Sequence, residues 1–289
     1  MEWKGRKRST NVEYSKGTGK KVAGGGIGAI LIAGIALLLS GGDLSSIFNL
    51  LQSGALSGGT QMEMVDDSST EGLSAKELEL REYVEVILAE TEAVWEEEFR
   101  KMGKVYRKPK MHVFKSAVQS ACGGASSATG PFYCSADEKV YLDLSFFDEL
   151  NAKYAKGDFP LAYVIAHEVG HHVQHLLGTL EQVHAYRNRG QKEYNQMTVR
   201  LELQADFYAG LWANKSAYNL QLSNSDINEA LNAASAIGDD RLQMQAQGYV
   251  VPDSFTHGTS EQRSRWFKKG YTTGDFNQGD SFVGSYANL

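Results

Sequence analysis

The chain is poor in sulfur ligands. Only two cysteines occur in 289 residues, Cys122 and Cys134. Neither belongs to a C-x₂-C unit, which argues against a cysteine-ligated zinc site. The segment between them, GGASSATGPFY, is too rich in Gly and Ser to hold itself firmly. A disulfide joining Cys122 to Cys134 would restrict the unfolded chain by roughly 3 kcal/mol, and it would last only in an oxidising compartment. Two free thiols are the alternative.

Internal repeats are absent, and so is any excess of positive charge over the main body. Residues 1–21 hold seven Lys/Arg against two Glu, a net of +5, while the other 22 Lys/Arg face 33 Asp/Glu, a net of −11. An acidic body of this kind is a poor nucleic-acid binder, because it offers no basic face to neutralise phosphates.

Charge is missing altogether from Val22 to Leu39. Eighteen such residues are about the minimum that spans a bilayer as a helix, and the run lacks the polar face of a core helix. The expected organisation is a basic cytoplasmic leader (1–21), a transmembrane helix (22–40), a Gly/Ser-rich linker (41–73) and a body (74–289) on the extracytoplasmic, periplasmic side. A cleaved signal peptide fits less well, since the leader is long and no A-x-A cleavage pattern follows.

What the body does have is a clear α+β pattern, mostly helical with a small sheet. Ser74 with Glu77 three residues later is a capping box, opening a helix that should end at Gly103. Short β-like runs follow in KMHVF and in PFYCSADEKVYLDL, with Asp137 at a turn. Helices are expected at about 145–155, 159–177, 198–219, 224–247 and 260–269. With the strands ahead of the main helices, the class is α+β.

The informative stretch is VIAHEVGHHVQHLLG, which carries four of the seven histidines. Pro160 near its start and Gly178 at its end delimit a helix. At about 100° per residue, His167 and His171 share one face, one turn apart, and can converge on one ion. Glu168 is beside them, within reach of a water at that ion. His172 points about 140° away from His167, and His175 is about 12 Å farther along the axis; both read as helix-flank residues. The motif H-E-x-x-H needs a third ligand. RLELQADFYAGLWA supplies one in Glu202, with Asp206 one turn on to accept the free N–H of a ligand histidine. Ala205, Ala209 and Gly210 should let that helix approach the Ala166/Gly170 flank closely. His257, in a Gly-containing loop before a helix, is the candidate donor to a tetrahedral oxyanion, with Tyr249 in reserve.

HEVGH followed by ELQAD resembles the gluzincin pattern of zinc peptidases. MEWKGRKRSTNVEY, SACGGASSATGPFYCSADEKVYLDLSFF, AHEVGHHVQ, RLELQADFYAGLWA and PDSFTHGTSEQRSRWF, in that order, resemble the bacterial neutral zinc metallopeptidase family over nearly the whole chain. The resemblance implies a zincin-like domain with one Zn²⁺ per chain on His167, His171 and Glu202. It also implies Glu168 as the catalytic base and a peptide or protein as substrate. Phe207 departs from the Cys expected in many relatives. A tethered scaffold with structural zinc, or a zinc amidase acting on cell-wall material, are the other classes the residues allow.

Overall fold

The structure, a computed structural model, describes residues 1–15, 72–153 and 157–289. The expected transmembrane helix at 22–40 and residues 41–71 of the expected linker lie outside the described residues. Among the described residues no helix is long and apolar enough to cross a membrane.

The body is helical with a small sheet, as its pattern predicts. Helix α1 (Ala75–Lys101) begins at the expected capping box: Ser74 and Glu77 exchange side-chain and backbone hydrogen bonds. Strand β2 (Lys110–Phe114) pairs in parallel with β6 (Lys139–Asp143). Strand β5 (Phe132–Cys134) adds antiparallel to β6 and forms one edge of the sheet. Strands β3 (Ala117–Ser120) and β4 (Gly123–Ser126) make a separate hairpin. A disulfide joins Cys122, in the hairpin turn, to Cys134 on β5. The turn before β6 depends on Asp137, which accepts from Lys139 N, Ala121 N and Tyr141 Oη.

The other edge is a strand that periodicity does not reveal. Residues 12–14 form β1 (Val12–Tyr14), parallel to β2 in the register Val12↔Met111, Glu13↔His112, Tyr14↔Val113. The described part of the leader is therefore packed into the domain. Trp3 and Tyr14 are buried in the main core, each contributing on the order of 2 kcal/mol through apolar burial. Glu13 holds β1 from its polar side, bonded to Lys110 (2.6 Å) and Lys139 (2.7 Å). Burial favours its neutral acid, but the two lysines hold its pKa down to about 2. A depressed carboxylate pKa contributes stability above the unfolded value near 4.5, and that contribution is lost as pH falls toward 2. Acid titration from pH 4.5 to 2 is expected to loosen β1 and change Trp3 emission, with a smaller change in Glu13→Gln; identical titrations of the two proteins would contradict this.

Helices α2 (Ser145–Lys153), α3 (Phe159–Leu177) and α4 (Thr179–His184) follow, then α5 (Gln191–Ser216), α6 (Asn224–Ala236), α7 (Asp239–Gln247) and α8 (Ser260–Thr273). Two expectations are corrected. Helix α5 begins at Gln191 rather than 198. The single helix expected over 224–247 is broken at Gly238, where a Cβ would lie 2.3 Å from Ser260 N. Helices α5 and α8 pack backbone to backbone: a Cβ at Gly210 would lie 2.0 Å from Phe267 O, and one at Gly270 would lie 2.1 Å from Phe207 O. Gly210 thus serves the contact with α8, not the approach to the histidine helix.

Candidate metal centre

The histidine helix α3 has the predicted bounds, with Pro160 in its first turn and Gly178 ending it in the left-handed conformation. Asp158 precedes it without a side-chain cap bond; its carboxylate instead accepts from Trp3 Nε1. The helix meets α5 at small residues, Gly170 against Ala205. A Cβ on Gly170 would lie 3.3 Å from Ala205 Cα and O, so Gly170 and Ala205 set the separation at which ligands from two helices meet.

They do meet. His167 Nε2 lies 3.1 Å from Glu202 Oε2, and His171 Nε2 lies 3.4 Å from Glu202 Oε1. One ligand atom from each of the three residues falls within 4.8 Å of the others, the only such group among the described residues. A tetrahedral zinc with bonds of about 2.0–2.1 Å separates its ligands by roughly 3.4 Å, close to the two histidine–Glu202 approaches. Two imidazoles and one carboxylate also suit zinc chemically and leave a fourth position open.

Hydrogen bonds at Nδ1 orient both imidazoles with Nε2 toward Glu202. His167 Nδ1 donates to Asp206 Oδ1 at 2.8 Å, so Nε2 is the atom available to a metal once its own proton is displaced. Asp206 is fully buried and accepts three further bonds: Tyr163 Oη to Oδ1 (2.6 Å), Arg263 Nη2 to Oδ1 (3.0 Å) and Arg263 Nε to Oδ2 (2.9 Å). His171 Nδ1 donates to Gln174 Oε1 at 2.8 Å. The orientation of that amide is settled by its other end, where Nε2 donates to Leu201 O (2.7 Å) and Gln204 Oε1 (3.1 Å). One neutral, buried side chain therefore links His171 to the residue before Glu202. Replacing Gln174 with Met is expected to weaken zinc binding about 10–100-fold in a folded protein; an unchanged dissociation constant in a competition titration would contradict this positioning role.

Burial disfavours charge on every member of the cluster, yet their mutual attraction wins. Asp206 and Glu202 hold the pKa of His167 up to about 10, and Glu202 raises that of His171. The two histidines in turn hold the Glu202 carboxyl well below its ordinary range. Asp206 is held down mainly by Arg263 and then His167. Buried carboxylates so arranged favour a cation between the imidazoles.

Glu168 is buried beside the ligands, and burial raises its pKa. His257 stands on the loop before α8. Asp239 Oδ2 accepts the backbone N–H groups of Thr256 (2.7 Å), His257 (2.6 Å) and Gly258 (3.1 Å). Asp239 Oδ1 lies 3.2 Å from His257 Nδ1, so Nε2 is left free on a half-exposed ring. Asp239 and then Glu202 raise the pKa of His257, which sets the ring within the field of the cluster. Tyr249, the reserve candidate, is exposed.

The remaining histidines have other partners. His172 is fully buried; its Nε2 donates to Arg107 O (2.6 Å), so Nδ1 accepts from Tyr133 Oη (2.9 Å). Burial lowers its pKa to about 4, as expected of a neutral imidazole fastening α3 to β5. His175 pairs with Glu181 at 2.5 Å. Phe207 is buried in the main core. Arg263, Tyr163 and Gln174 carry no local sequence signal: QRSR is one charged run on the polar helix α8, and Gln174 is one more polar residue near the end of α3.

The sequence from residue 1 to 282 matches the family described as "Putative neutral zinc metallopeptidase". The "Uncharacterized protein YpfJ" of Escherichia coli (strain K12) is 45% identical, over 98% of this chain and 99% of its own. An uncharacterized protein of Mycobacterium tuberculosis (strain ATCC 25618 / H37Rv) is 44% identical, over 61% of this chain and 63% of its own. No solved structure matches.

Proposed function

The chain belongs to the family described as putative neutral zinc metallopeptidases, and from that premise we propose that it hydrolyses peptide bonds at a zinc held by His167, His171 and Glu202. The observation that carries the reading is the convergence of these three ligand atoms within 4.8 Å, with a buried Glu168 beside them that a purely structural site does not need. Zinc bound there supplies a Lewis acid that brings the pKa of water toward neutrality and polarises a carbonyl.

The protein's own residues do the rest. Asp206 and Gln174 orient the two imidazoles. Glu168 takes the proton of the attacking water and passes it to the leaving amine. His257, raised in pKa and anchored by Asp239, presents Nε2–H to the oxyanion. The substrate lies as an added strand along β5, the sheet edge that Tyr133 ties to α3 through His172. The Cys122–Cys134 disulfide fixes the hairpin to that edge.

Product analysis of zinc-loaded protein with a peptide library and muropeptides side by side tests the proposal. Peptide cleavage is expected. Cleavage of muropeptides alone would move the reading to a cell-wall amidase. Cleavage of neither would favour a zinc-stabilised scaffold. His257→Ala is expected to lower kcat about 10²-fold or more with little change in KM; a change confined to KM would reassign His257 to substrate binding.

A further inference from the structure

The basic leader is built into the domain along its described length. Trp3 packs edge-on against Tyr83 of α1, with ring centroids 5.2 Å apart, and its Nε1–H donates to Asp158 at the start of the histidine helix. Ser9 Oγ and Asn11 Nδ2 donate to the buried Glu92 of α1 at 2.5 and 2.8 Å. Tyr14 Oη donates to Glu85 at 2.7 Å. Lys4 pairs with Glu79 and Arg8 with Glu82. Four glutamates of α1 (Glu79, Glu82, Glu85 and Glu92) are thus the leader's partners. Lys4 and Arg8, part of the positive charge that in a sequence marks retention in the cytoplasm, are paired within the domain.

Two segments that share one hydrophobic core lie on one side of any bilayer. The family match itself begins at residue 1, so the leader is part of the unit that relatives share.

We infer that the described leader, residues 1–15, and the metal site lie in the same compartment. This replaces the sequence expectation of a cytoplasmic leader opposite an extracytoplasmic body, and it does not depend on the peptidase reading.

Lys7 and Lys268 are both exposed, so Lys7→Cys and Lys268→Cys, made singly in the full chain, report the two segments separately. With a membrane-impermeant maleimide, both are expected to react in intact cells, or both only after lysis. Reaction of one in intact cells and of the other only after lysis overturns the inference. A zero-length carbodiimide link between Lys4 and Glu79, formed in membranes from mixed isotopically light and heavy protein, supplies an independent readout. Same-chain peptide pairs are expected; light–heavy pairs, or no link, overturn it.

Discussion

Glu168→Gln is expected to lower kcat by about 10²–10⁴-fold while zinc content stays at the wild-type level. The amide keeps the shape and burial of the side chain but cannot accept a proton. Glu168 makes none of the contacts that hold His167, His171 or Glu202 in place: those run through Asp206, Gln174 and the α3–α5 approach at Gly170. The variant therefore separates chemistry from metal binding. Equal cleavage by wild type and variant, at equal zinc content, would remove Glu168 from the mechanism.

The second large effect is on stability. Arg263→Met is expected to destabilise the zinc-free protein by about 3–5 kcal/mol, because it strands a buried carboxylate. Asp206 is fully buried, and Arg263 supplies two of its bonds and its only full positive charge from an always-protonated side chain. The double variant Arg263→Met/Asp206→Leu should cost less than the sum of the single changes, since it leaves no unpaired charge. Chemical denaturation of the four proteins gives the coupling directly. A loss below about 1 kcal/mol in Arg263→Met would mean that His167 and Tyr163 suffice to hold Asp206.

Local signals carried much of this molecule. The bounds of α3 followed from Pro160 and Gly178, and the start of α1 from the Ser74–Glu77 box, because caps depend on neighbours in sequence. Periodicity placed His167 with His171, and Glu202 with Asp206, each pair one helical turn apart. What stayed hidden depends on partners far along the chain. Arg263 reaches Asp206 from 57 residues away, and nothing in QRSR marks that arginine as buried. Strand β1 is three residues long, and its apolar positions are satisfied only against β2, about a hundred residues away, and α1, about seventy residues away. The chain breaks between α6 and α7 at Gly238, where Ser260 occupies the place of a Cβ, so only glycine fits there, a constraint set by tertiary packing. Gln174 looked like one more polar residue after the histidines, and only the position of Leu201 O shows which way its amide must face.

The central claim is that two helices bring His167, His171 and Glu202 together to hold one zinc. Elemental analysis of the purified chain, beside His167→Ala prepared identically, tests it most directly. One zinc per wild-type chain and a large loss in folded His167→Ala is the predicted result. No zinc in either protein, or equal zinc in both, would contradict it.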